Sequence, residues 1–182
     1  MESDPLTDLL RRHPEAAFDY LEFRNAVAGA AAYHAARRAT EHDRRAIAAC
    51  LERMVAAHEK EDPMEEAEAD IDFHRATYEA THNVVMQTVM HGLSDLMRAD
   101  VFFSRRKLYG YKGVRHLLLH QHLAIGEAIL AGDAERARDA ATQHIGYARG
   151  ALEEIEKAEA RLEVSLRRMG RGDLVAGPRR RG

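Results

Sequence analysis

The chain carries a single cysteine, Cys50, so no disulfide can form within it and a cross-linked small scaffold is excluded. Tryptophan is absent, and prolines stand only at 5, 14, 63 and 178, which leaves Met64 to Gly177 free of them. No strand-like runs of Val, Ile and Thr occur. No apolar run approaches the length needed to span a bilayer, and the start shows no signal-peptide pattern. The net charge of -3 gives the folded body no marked affinity for polyanions. Together these absences predict a soluble, cytoplasmic protein of a reducing compartment.

What is present is helix-forming. Ala, Leu, Glu and Arg dominate, and 182 residues suffice for one domain with a real core. We read an all-α fold, an antiparallel helical bundle of six to seven helices. Residues 1–15 form a linker and short helix (about 5–12), 16–168 the helical domain, and 169–182 a disordered tail, "GRGDLVAGPRRRG" being poor in apolar residues. Within the domain, helices are predicted at about 16–39, 41–60, 63–81, 84–108, 113–131 and 134–168. Asp62 should cap the third of these with Pro63 at its first position, and Asn83 can cap the fourth. Gly132 should end the fifth and Asp133 start the sixth. Connections this short make neighbouring helices antiparallel.

The stretch "ADIDFHRATYEATHN" (69–83) places Asp70 four residues before His74, so both project from one helix face. Ala67, Thr77, Tyr78 and Thr81 extend that row, and Glu65, Glu66, Glu68 and Asp72 are expected on other faces. In "HLLLHQHLAIGEAIL", Leu118, His122, Ile125 and Ile129 share a stripe, so His122 is embedded among apolar residues. Further on, His144 interrupts a stripe of Ala137, Ala140, Ala141, Ala148 and Ala151. Buried separately, these polar groups would be costly. One divalent transition metal would satisfy them jointly, and three imidazoles with one carboxylate suit zinc first, then nickel, manganese or iron(II). One or two positions would stay open for water or a ligand oxygen.

A plainer account stands beside this one. An Asp-x-x-x-His pair is often an ordinary polar pair, and eleven histidines make chance alignments common. His116 and His120 form a competing pair on a row expected to be half-exposed. His34, His42, His58 and His91 are expected at the surface or at caps, and His82 at a helix end. With a metal in place, a helical hydrolase or oxygenase is chemically conceivable, as is a purely structural metal staple, but no H-E-x-x-H occurs and no acid is placed as an obvious base.

The same residues carry a family resemblance. "LEFR" (21–24), "AARRAT" (35–40), "ADIDFH" (69–74), "ATHN" (80–83) and "HLAIGEAILAGDAERARDAATQH" (122–144) come in the order and at the separations of the FadR-type effector-binding domain of GntR-family transcription regulators. The likeness covers about residues 5–155, and "DPLTDLLRRHP" with "FDYLEFR" resembles the branch regulating lactate, glycolate and pyruvate metabolism. It implies an effector-binding domain rather than an enzyme, with Asp70, His74, His122 and His144 as metal ligands. It also implies a small hydroxy or keto acid as effector and a homodimer.

Arg24 matches a position that can face the ligand, where a guanidinium gives a two-pronged carboxylate contact. A salt bridge to Glu22 or another surface acid is its plainer role. Asn83 is either a pocket residue or a helix cap. The chain departs from the resemblance at Ala28, where an acid is usual. Nothing before Asp4 corresponds to the winged helix-turn-helix that reads DNA in such regulators, as expected of an excised effector domain or a shortened relative.

Overall fold

The computed structural model describes residues 12–13 and 16–169, with side chains described except at 16–17, 94–106 and 112. The expected tail from 170 onward and all but the last residue of the expected helix at 5–12 lie outside the described residues. The described chain is helical: α1 (Ala16–Arg38), α2 (Glu41–Glu59), α3 (Pro63–Glu79), α4 (Val84–Tyr109), α5 (Lys112–Leu130) and α6 (Ala134–Arg168). Among the described residues there is no strand, and no helix is long and apolar enough to cross a membrane.

Side chains set the helix boundaries. Thr40 and Asp43 form a reciprocal capping box at the start of α2. Asp62 accepts from the backbone N–H of Met64 and Glu65 at 2.9 and 3.2 Å, with Pro63 opening α3. α3 ends at Glu79, two residues before the predicted end, because the chain reverses through Ala80 to Asn83 with His82 in the left-handed region (φ 50°). There His82 Nε2 lies 2.8 Å from Asp43 Oδ2, a partner 39 residues away. Gly132, at φ 72°, closes α5, and Asp133 accepts from Arg136 N–H at the start of α6.

α1 packs along α6, α2 against α3 and α5, and α5 against α6, so that α1, α2, α3, α5 and α6 surround one core. That core is built from Ile47, Phe73, Ile125, Ile129 and Ile145 among many alanines. Each fully buried large aliphatic side chain contributes about 1.5–3 kcal/mol. Small residues let the helices come close: a Cβ on Gly29 of α1 would stand 2.5 Å from Thr142 Oγ1 on α6.

One expectation about α3 is corrected. Glu65 and Glu68 are exposed and Asp72 is half-buried, but Glu66 is 3% exposed and ion-paired with buried Arg115 at 2.8 Å. The reason was legible: Glu66 precedes Asp70 by four residues and so lies on the same inner row.

Thr40→Ala removes the hydroxyl that receives Asp43 N–H and is expected to cost about 1 kcal/mol in denaturant unfolding. Burial alone would raise the Asp43 carboxyl, but hydrogen bonds from Thr40 and His82 hold it below its ordinary value of 3.8. Its stabilisation is therefore present above 3.8 and is lost as pH falls through the lower folded value. Asp43→Asn should flatten that acid limb of the stability curve. An unaltered limb would deny Asp43 this role.

Candidate metal centre

Three helices deliver four donors to one place. Asp70 and His74 come from α3, His122 from α5 and His144 from α6, all between 0 and 7% exposed. One donor atom from each lies within 4.8 Å of every other. His122 Nε2 stands 2.9 Å from Asp70 Oδ1 and 3.2 Å from His74 Nε2, and His74 Nε2 is 3.8 Å from the same carboxylate oxygen. Ligands held about 2.0–2.1 Å from a tetrahedral ion stand roughly 3.3–3.4 Å apart, a spacing these values bracket. The His144 ring stacks on His74 at 5.4 Å and lies 4.1 Å from His122. Phe73 closes the apolar side, edge-on to His74 and His122 at 5.5 and 5.4 Å.

The protonation chemistry suits a cation. Burial, and then the positive charge of Arg24, push His74 well below its ordinary value of 6.5, and the pull of Asp70 does not reverse this. His74 is therefore neutral at physiological pH, the form that coordinates. His144 Nδ1 lies 3.0 Å from Gln121 Oε1, so it carries the proton and leaves Nε2 facing the cluster. Two imidazole nitrogens facing each other at 3.2 Å can share one proton at most, whereas a cation between them satisfies both lone pairs. The donor set, its convergence and its tautomers fit a divalent transition metal.

Arg24 of α1 is 6% exposed, whereas Glu22 is exposed and meets Arg149 at 3.4 Å. Burial opposes the Arg24 charge, but Tyr78, Tyr20 and Asp70 outweigh it, and the guanidinium is held even above its usual range. Asn83 caps α4. Its Oδ1 accepts from Val85 and Met86 N–H, both at 3.1 Å, at the start of α4.

Sequence reasoning passed over two neighbours of the ligands. Tyr109 hydroxyl lies 3.4 Å from Asp70 Oδ1, and Gln121 orients His144. Gln121 directly precedes a histidine on α5 but is paired with one on α6, so no spacing rule exposes it. Tyr109 comes from the far end of α4 and had only its place beside Gly110 to mark it.

The FCD domain family matches residues 19–147. The chain is 37% identical, over 86% of its length, to a protein of Escherichia coli (strain K12) named "Putative L-lactate dehydrogenase operon regulatory protein". It is 32% identical over 85% of its length to the Glc operon transcriptional activator, and 35% identical over 74% to the galactonate operon transcriptional repressor, both of the same organism. The chain covers 59%, 62% and 56% of these three relatives, so it spans about three fifths of their length.

Gln121→Ala is expected to weaken metal affinity by about tenfold to hundredfold, as loss of an orienting partner does elsewhere. Gln121→Glu, which keeps the acceptor, should recover most of it. Competition against a chromophoric chelator measures both, and equal affinity in all three proteins would remove Gln121 from the site.

Proposed function

The chain belongs to the FCD domain family, and from that premise we propose that it is the ligand-sensing part of a bacterial transcription regulator. The ligand is a small hydroxy or keto acid held between Arg24 and the group Asp70, His74, His122 and His144. A divalent transition metal, zinc first, would supply a positive centre there to which a carboxylate oxygen can bind. The observation that carries the reading is charge. Asp70 is the single carboxylate of the donor group, and buried Arg24 already acts on it, so a loaded centre is left net positive in a place water reaches poorly. A small anion is what such a centre favours.

Two of the similar proteins are named for operons of L-lactate dehydrogenase and galactonate, and lactate and galactonate are both 2-hydroxy carboxylates. This supports the ligand class, with lactate, glycolate and pyruvate as first candidates. Asn83 would act here through its cap, keeping the α3–α4 turn in place, rather than as an effector contact.

Arg24 sits on α1, whereas the four donors sit on α3, α5 and α6. A carboxylate that joins Arg24 to the donors therefore ties α1 to the other three helices. The state in which α1 is drawn in gains population by the ligand's difference in affinity for the two states. In a homodimer such a shift would alter the spacing of paired winged helix-turn-helix domains lying outside these residues, and with it the fit to DNA half-sites. The enzyme reading is weaker, since the donor group offers no second carboxylate as a base.

The test is a thermal-shift screen of zinc-loaded protein with L-lactate, glycolate, pyruvate and galactonate. A true ligand at a hundred times its Kd adds about 2.7 kcal/mol of stability. Arg24→Ala should weaken that ligand by roughly tenfold to hundredfold, the worth of a charged hydrogen bond, while zinc content is retained. Equal ligand affinity in Arg24→Ala rules out the clamp, and turnover of the ligand would replace sensing with catalysis.

A further inference from the structure

Three more histidines gather outside the buried centre. His58 lies near the end of α2, and His116 and His120 lie one turn apart on α5. Ring centroids are 5.7 Å apart for His58 and His116 and 4.5 Å apart for His116 and His120, against 4.1–5.4 Å within the inner set. His116 and His120 are exposed and His58 is half-buried. Two histidines at i and i+4 present both imidazoles on one side of a helix, the spacing with which helical histidine pairs hold one ion.

A second, independent observation concerns His58. Its Nδ1 lies 3.4 Å from Oε2 of Glu66, whose side chain is 4% exposed. Arg115 fixes that carboxylate from the other side, with Nη2 2.8 Å from Oε1, and the same Nη2 donates to the His58 carbonyl oxygen at 3.3 Å. A proton on Nδ1 directed at Glu66 leaves Nε2 as the nitrogen for an outside partner. A buried carboxylate behind an imidazole is the arrangement that orients a metal-ligating histidine and raises its basicity. Arg115 is neutralised by Glu66, so it does not present a bare positive charge to an incoming ion.

We propose that His58, His116 and His120 form a second, solvent-facing site for a divalent transition ion such as zinc, with Glu66 as the positioning residue for His58. Among the described residues only the inner donors already converge within 4.8 Å, so the outer site closes by turning the exposed rings of His116 and His120. Ordering those rings costs side-chain entropy, and the site has no anionic ligand of its own. It therefore binds more weakly than the inner centre and exchanges with solvent. The proposal does not depend on what the inner centre binds.

The experiment is equilibrium dialysis of the full chain against zinc alone, with metal content read by elemental analysis. The unsubstituted chain should hold about two ions, and the His116→Ala/His120→Ala variant about one, with unchanged helicity because both side chains are exposed. The His122→Ala/His144→Ala variant should keep the equivalent that the outer substitutions remove, which separates failure of one site from failure of the other. Zinc content unaffected by the outer substitutions would overturn the proposal. Glu66→Gln should weaken the outer ion by about tenfold to hundredfold, and unchanged outer affinity would remove Glu66 from its positioning role.

Discussion

Burying ionisable side chains inside a helical bundle is the constraint on which the rest of this structure turns. Asp70, His74, His122, His144 and Arg24 are all within a few per cent of full burial. Each would cost several kcal/mol if enclosed alone. They are tolerable because they share one location, where carboxylate, guanidinium and imidazole offset one another and a divalent ion can complete the set. The apolar core alone does not demand this. Phe73, Ile125 and Ile145 would pack as well against leucines in place of the three histidines, and a bundle of that kind would be the more stable one. Stability is given up here for a buried polar group that could hold a metal ion.

The bundle supplies what such a place needs. Four helices contribute, and every donor sits on a helix rather than a loop. Small residues bring the arginine near enough. Gly29 and the alanines around it let α1 lie close along α6, with Gly29 one turn and a little more beyond Arg24. From α1, the Arg24 guanidinium and the Asp70 carboxylate act on one another electrostatically.

Much of this was legible before any coordinates, for definite reasons. Helices in the fold announce themselves through caps, and Asp62 with Pro63, and Asp133 after Gly132, stand where the chain turns. The four donors were visible because polar residues at apolar positions of a helical repeat are conspicuous. Glu66 was misplaced because an acid among other acids in a first turn reads as dipole complement, and only its four-residue distance from Asp70 told otherwise. Gln121, Tyr109 and the partnership of His82 with Asp43 depend on which helices meet, and no single-helix periodicity carries that information. The pairing of His58 with Glu66 was hidden for the same reason.

The inner row of α3 ties these pieces into one mechanical unit. Glu66, Asp70 and His74 follow one another at four-residue intervals, and each meets α5 and one further helix, a different one each time. Glu66 reaches Arg115 on α5 and His58 on α2, Asp70 reaches His122 on α5 and Tyr109 on α4, and His74 faces His122 on α5 and His144 on α6. Apolar packing would let α3 slide by a turn at modest cost, since one alanine or isoleucine is much like another. A row of buried polar and charged groups would not, because a slip of one turn, about 5.4 Å, sets each against the wrong partner. The register of α3 against its neighbours is thereby fixed.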